Sequence, residues 1–342
     1  MTKVFVGMSG GVDSSLTAAL IVEQGHDVTG VYMKNWTQDL PGMRCPWADD
    51  LADAKRVAVQ LGIDFKVFDF ESEYRDKVVK YMINEYKLGR TPNPDIMCNQ
   101  EVKFKLFFET ALQEGADMIA TGHYARVREG KLLKALDENK DQTYFLYRVS
   151  HDALLKTLFP LGEYTKPEVR AMAKERGLAT AGKKDSQGIC FVGQIGIREF
   201  LSQYVETKPG NIIDIASDKI LGQHDGAIFY TLGQRHGLDV GGGLPYYVVS
   251  KDMDKNEVYV STNLNDEHLW LKEIELHSPH WIADKPEEGA VYQVRIRHRA
   301  TLTNATYNND VLKLDEPQRA ITPGQSVVVY DGDMCLGGGI VA

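Results

Sequence analysis

Three short stretches of this chain hold residues that could do chemistry together. The first, Ser9-Gly10-Gly11-Val12-Asp13-Ser14-Ser15, follows the apolar run Val4–Met8 and leads into an amphipathic segment. A glycine pair after a strand lets backbone approach an anion closely, and a helix starting there offers unsatisfied N–H groups. Ser9, Ser14 and Ser15 add hydroxyl donors, and Asp13 can help hold a magnesium ion through its oxygens. The GxxxxGK[ST] lysine of a kinase-type phosphate loop is missing. A Gly-Gly turn alone would favour a plain strand–turn–helix corner.

The other two stretches hold cysteines. Cys98 lies in Asn93-Pro94-Asp95-Ile96-Met97-Cys98-Asn99, just after Thr91-Pro92. The two prolines stiffen the segment and are expected to keep it out of helix and central strand. That predicts a thiol on a rigid loop before a helix beginning at Val102. Lys103 and Lys105 stand close enough in sequence to favour a thiolate, and Asp95 could take or relay a proton. Cys190 lies in Asp185-Ser186-Gln187-Gly188-Ile189-Cys190-Phe191, after Lys183-Lys184, again with glycine and positive charge nearby. Burial as small hydrophobes, the commonest fate of free cysteine, stays open for both. Cys45 and Cys335 are assigned to structure. With no CxxC pair among four cysteines, a zinc site or a disulfide framework is disfavoured.

Strand must alternate with helix to position these groups. Val4–Met8, Asp27–Met33, Phe65–Phe70 and Met118–Tyr124 read as strands. Ser14–Gln24, Ala48–Leu61, Glu73–Tyr86 and Val102–Glu114 read as helices. Such alternation implies a parallel sheet covered on both faces, with sites at the carboxyl ends of its strands. Arg126–Leu136 reads as a hairpin turned at Glu129-Gly130, and Lys166–Arg176 as a helix stopped by Gly177. From about Tyr204 the pattern turns all-β, through runs such as Val258–Ser261, Val291–Ile296, Val311–Leu314 and Ser326–Tyr330. The expected fold class is α/β, in three parts. Residues 1–200 form a catalytic domain, 201–265 a small β-rich domain and 266–342 a β-barrel.

The first loop resembles the SGGxDS[ST] loop of the PP-loop ATP pyrophosphatases, and the full seven-residue match in a strand-to-helix setting displaces the plain-corner reading. Six motifs then occur in order: SGGVDSS at Ser9–Ser15, NPDxxCN at Asn93–Asn99, TGHYA at Thr121–Ala125, DQTYFLY at Asp141–Tyr147, DSQGICF at Asp185–Phe191 and LGGG at Leu336–Gly339. Together they resemble the tRNA-specific 2-thiouridylase family (the bacterial MnmA/TrmU type) from near residue 3 to the chain's end. Gln187 departs from the threonine that many relatives carry.

The resemblance implies that ATP, with Mg2+, adenylates the C2 oxygen of the wobble uridine in tRNAs for Lys, Glu and Gln. AMP and pyrophosphate leave as sulfur enters. Gly7, Met8, Ser9, Gly10, Gly11, Val12, Asp13 and Ser14, with Met33 and Gly122, would hold ATP. Cys190 would carry a persulfide delivered by a sulfur-relay carrier or a cysteine desulfurase. Cys98 would be the nucleophile, forming a transient disulfide with Cys190, and Asp95 the general acid/base. It also implies tRNA contacts at Asn93, Pro94, Asp95, His123, Lys140, Asp141, Gln142, Arg297, His298 and Gln325.

Read as residues, Lys140, Asp141 and Gln142 precede an aromatic strand. Strand alternation would put Arg295, Arg297 and Arg299 on one face, with Val294, Ile296 and His298 on the other. The formal charge of −9 over 342 residues, from 39 Lys+Arg against 48 Asp+Glu, weighs against nucleic acid as a whole-chain sum. tRNA need meet only part of the surface. No apolar run reaches membrane-spanning length and no signal-peptide core stands at the N-terminus, so a cytoplasmic protein is expected. A monomer is the expectation as well, though nothing in the residues argues for it. Two other classes remain: a PP-loop ligase using ammonia, which would need neither cysteine, and a non-enzymatic adenine-nucleotide-binding sensor or chaperone on the same fold.

Overall fold

The computed structural model describes residues 1–39, 45–184, 196–241, 243 and 245–342. The DSQGICF segment with Cys190, and Gly242, lie outside the described residues.

Strand β1 (Lys3–Gly7) is almost wholly apolar and buried, as a central parallel strand must be. It pairs in parallel with β2 (Asp27–Lys34) on one side and β4 (Met118–Ala120) on the other; β3 (Asp64–Asp69) and β7 (Thr157–Leu158) complete the order β3-β2-β1-β4-β7. The chain steps outward from β1 to β3 and then returns to the far side of β1. That reversal opens a crevice at the carboxyl ends of β1 and β4, the place where such sheets bind ligands. Helices α1 (Val12–Glu23) and α2 (Trp47–Leu61) join the first three strands. One side of α1 (Ala18, Ile21) packs with Val4, Val6 and Val57, while another (Val12, Leu16, Ala19) packs on Val169 and Ala173 of the helix Lys166–Glu175.

Strands β5 (Arg126–Arg128) and β6 (Lys131–Leu133) form the expected hairpin, but they belong to a different sheet. The central module contributes β8 (Gly210–Asp214), β9 (Lys219–His224), β10 (Tyr247–Asp252) and β11 (Glu257–Ser261), in the order β10-β11-β8-β9. The last part contributes β12 (Trp270–Trp281), β13 (Val291–Arg295), β14 (Thr303–Asn308), β15 (Val311–Arg319), β16 (Ser326–Asp331) and β17 (Met334–Val341). Pairing of β12 with both β15 and β17 closes these six into a barrel. The hairpin is added to its rim by Leu132 opposite Cys335 and Leu133 opposite Met334. The terminal LGGG motif serves this closure: a Cβ on Gly337, at φ 142°, would sit 2.1 Å from the His280 carbonyl oxygen on β12. One buried cluster runs from Phe5, Phe68 and Phe107 through Tyr144 and Tyr147 to Val328, Tyr330 and Cys335, so the first domain and the barrel share a core.

Three local expectations are corrected. The helix placed at Val102 begins at Pro94 and runs to Gln113, because proline at the first helical position forfeits no hydrogen bond there. Thr143–Leu146 is a helical turn, not an aromatic strand; Asp141 fixes its start through the Thr143 amide and hydroxyl. Strand β13 ends at Arg295, so Arg295, Arg297 and Arg299 share no strand face.

Asp141 is the polar centre of the shared core. Only 2% of its side chain is exposed, and it accepts bonds from the Ala135 amide, the Thr143 hydroxyl and, at 3.0 Å, the Arg295 guanidinium. Removing one partner of a buried ion pair leaves the other charge uncompensated, at a cost of about 3–5 kcal/mol. Asp141→Ala should therefore lose roughly that much stability in urea unfolding; a loss under about 1 kcal/mol would show that Arg295 does not depend on it.

Candidate active site

The nucleotide loop is tied into shape by its own serines. The Ser9 amide donates to Ser14 Oγ at 3.1 Å, while the Ser14 and Ser15 hydroxyls donate to the Gly11 carbonyl at 3.2 and 2.7 Å. Ser15 is fully buried, so its hydroxyl shapes the loop and does not face a ligand. Ser9 is exposed. The first-turn amides of any helix lack partners within it, and the N-cap of α1, Gly11, has no side chain to cover them. The loop after β4 closes against it: a Cβ on Gly122 would stand 2.9 Å from the Asp13 carbonyl carbon and the Ser14 nitrogen. Met33, at the end of β2, touches Gly7 from the other side. The loop, Met33 and Gly122 are thus brought together at the carboxyl ends of β1, β2 and β4.

Asp13 is already engaged. Lys166 donates to both carboxylate oxygens at 2.7 and 2.8 Å, and the Tyr124 hydroxyl donates to Oδ1 at 2.9 Å. Among the described residues no group of three or more His, Cys, Asp or Glu could hold a metal ion. As a magnesium ligand Asp13 therefore fits poorly. Magnesium would arrive on the ATP phosphates, where that ion is usually held.

Cys98 sits one turn into the helical run 94–113, not on a loop. The Asn93 side chain caps that run by accepting from the Asp95 and Ile96 amides at 3.1 and 3.3 Å. From Cys98 to Leu106 the helix widens to π geometry, a form frequent at functional sites. The thiol is 3% exposed. Asp95 stands three residues before it, on the same helical face. Burial pushes the Asp95 carboxyl above its usual range, and the Lys103 ammonium works against that shift. The group is thus biased toward keeping a proton.

Lys103 also reaches His123, Nζ to Nε2 at 3.4 Å. An ammonium can only donate, so Nε2 accepts and the imidazole carries its proton on Nδ1, toward Thr121 Oγ1 at 2.8 Å. The ring lies against Phe104 and Phe159. Burial first, then Lys103, holds its pKa well below the ordinary histidine value. His123 is a packed neutral side chain. Lys105 pairs with Glu101 instead of facing the thiol.

The expected tRNA contacts separate. Asp141 and Arg295 are internal, and the Gln142 side chain accepts from the Tyr124 amide. Gln325 donates to the Thr91 carbonyl, tying the barrel to the entrance of the Cys98 helix. Arg299 donates to the Asn139 carbonyl beside Lys140. Exposed Arg297 donates to the Arg319 carbonyl at 2.7 Å. His298 stacks on Phe145 at 4.5 Å, and Asn99 donates to the Phe145 carbonyl. His298 thus sits on the barrel's face toward the first domain, while Arg297 is bound within the barrel. Lys183, read as a charge near Cys190, is paired with Asp50 and Asp53 at 2.7 Å each.

Two participants escaped the sequence reading. Lys166 carried no motif, only the Thr165–Glu168 capping box of an ordinary helix. Arg148 donates to Gln100 at 2.5 Å and to the Ser278 carbonyl at 2.8 Å, joining the cysteine helix to β12. Neither link is visible in local spacing.

Sheet, loop and crevice define a nucleotide-binding α/β domain with two β modules behind it. Family models match the chain in the same sequence: a tRNA methyl transferase HUP domain over residues 2–194, a tRNA methyl transferase PRC-barrel domain over 198–262, and an aminomethyltransferase beta-barrel domain over 271–341. The tRNA-specific 2-thiouridylase MnmA of Bacillus cytotoxicus is 48% identical over 99% of this chain and 94% of its own length, and MnmA 2 of Geobacillus kaustophilus matches equally. The chain belongs to the tRNA-specific 2-thiouridylase family. A solved 4-thiouridine synthetase–RNA complex with bound ATP overlaps at 19% identity and a TM-score of 0.40, over 60% of this chain and 50% of that one, too loosely to carry an argument. Among the described residues no helix is long and apolar enough to cross a membrane.

His123 gives a pH test. Its folded pKa is depressed, so below about pH 6.5 the unfolded chain takes up a proton that the folded one refuses. Its share of stability is complete above that pH and lost as pH falls, by up to about 1.4 kcal/mol per unit. The unfolding free energy of wild type relative to His123→Gln should drop between pH 7 and pH 5. A constant difference would mean that the imidazole titrates normally.

Proposed function

We propose that this enzyme thiolates C2 of the wobble uridine in tRNAs for Lys, Glu and Gln, in the cytoplasm and as a monomer. The observation that carries this reading is the pairing of an ordered nucleotide loop at the sheet's switch point with a cysteine helix that bears Asp95 and Cys98 on one face. ATP lies along Gly7–Ser14, with Met33 and Gly122 bounding its crevice. The C2 oxygen attacks the α-phosphate, pyrophosphate leaves, and the oxygen becomes part of a good leaving group. Sulfur arrives as a persulfide on Cys190, handed over by a relay carrier or a desulfurase.

Two routes then conserve atoms and charge. The terminal persulfide sulfur attacks C2 and expels AMP, after which Cys98 attacks the Cys190 sulfur and leaves a thiocarbonyl and a Cys98–Cys190 disulfide. Alternatively Cys98 attacks first and releases sulfide, which displaces AMP. Either way the disulfide must be reduced by an external thiol before the next turnover. A carboxyl biased toward its protonated form suits Asp95 to giving a proton to the leaving oxygen and taking one back. Exposed Arg297, with His298 beside Phe145, offers the barrel's contact to the RNA, and the base must be splayed from its stack to reach Cys98.

Cys98→Ser should accept radiolabelled sulfur from a donor yet leave tRNA unmodified, whereas Cys190→Ser should not load. Full thiolation by Cys98→Ser would remove Cys98 from the sulfur chemistry, and full activity of that variant with ammonia and no sulfur donor would favour the ammonia-type ligase instead. Arg297→Ala should weaken tRNA binding and lower its salt dependence by about one counterion, with ATP binding intact. An unchanged salt slope would remove Arg297 from the phosphate contacts.

A further inference from the structure

We infer that Lys166 is a positioning residue for ATP: it neutralises Asp13, so that the polyphosphate meets a loop carrying no uncompensated acid. The inference rests on the reading of Ser9–Ser15 as the ATP site. Asp13 lies in the first turn of α1, beside the amides that would face phosphate. A bare carboxylate there would repel a polyanion. The loop has no lysine of its own, and the fold brings one from 153 residues away to grip both oxygens of Asp13.

Lys166 is itself held for this task. Its side chain is 9% exposed, with Nζ 5.6 Å from the centre of the Tyr124 ring, whose hydroxyl binds the same carboxylate. Its amide donates to Asp137 at 2.9 Å. Thr165 and Glu168 cap its helix reciprocally, and Val169 and Ala173 of that helix pack against α1. Lysine and loop are therefore packed as one unit. A structural tie alone would serve equally well without charge, and here the two readings differ.

The test is equilibrium binding of ATP over a range of free magnesium, with melting curves as a control on folding. Lys166→Met should weaken ATP binding about tenfold or more, as loss of a charged hydrogen-bonded partner does, while Lys166→Arg should stay within about threefold of wild type. Adding Asp13→Asn to Lys166→Met should restore binding, because the charge that needed neutralising is gone. Additive loss in the double variant would overturn the inference, since Asp13 would then be a metal ligand or Lys166 a direct phosphate contact. Should Lys166→Met not fold, Asp13→Asn is compared with the double variant: affinities within about threefold support the inference, and about tenfold weaker binding in the double variant overturns it. Wild type that fails to bind ATP would sink the ATP-site reading itself. Wild type that binds normally, with Lys166→Met unchanged, sinks only the role given to Lys166.

Discussion

The buried contact between Asp141 and Arg295 sets the terms for everything else in this molecule. A carboxylate and a guanidinium withdrawn from water must satisfy each other and fill their remaining bonds locally, or the desolvation cost is not offset. Asp141 does so with the Ala135 amide and the Thr143 hydroxyl, and Thr143 passes the contact on to the Tyr330 hydroxyl, whereas Arg295 keeps a buried Nε without a hydrogen-bond partner. Around this pair Tyr144 and Tyr147 donate to, and share a bond with, Ser326 of β16, and the hairpin β5–β6 extends the barrel sheet. The catalytic domain and the barrel thereby act as one body.

The same joining reaches the cysteine helix from three directions. Gln325 holds its entrance at Thr91, Asn99 leans on the Phe145 carbonyl, and Arg148 spans from Gln100 to the β12 backbone at Ser278. Capping by Asn93 fixes the start of the helix, and the π turn beginning at Cys98 widens it where the thiol emerges. The chemistry proposed for this buried thiol would need such support, because attack at sulfur requires its direction to be set before the partner arrives.

Burial also governs the charges of the site. It raises the Asp95 carboxyl and lowers His123, with Lys103 between them acting on both. The net charge of −9 misleads as a guide to RNA binding, because it averages over surfaces that RNA need not touch. Two basic residues that looked available are spent in ion pairs, Lys183 on two aspartates and Arg295 on Asp141, and Lys166, which the sequence did not single out, is spent on the loop.

Local pattern determined the nucleotide loop, the parallel α/β start, the β-rich end and the hairpin turn at Glu129-Gly130, because each depends on neighbours within a dozen residues. It also misjudged Pro94, since a proline breaks the interior of a helix but suits its first position. What tertiary structure alone decided is which polar groups meet across long separations: Lys166 with Asp13, Arg295 with Asp141, and the hairpin with β17. No spacing rule encodes these contacts. The two ion pairs follow from the need of a charge withdrawn from water for a partner, and the hairpin's place from the need of a sheet edge for backbone pairing, and both needs are met only once distant parts of the chain have packed together.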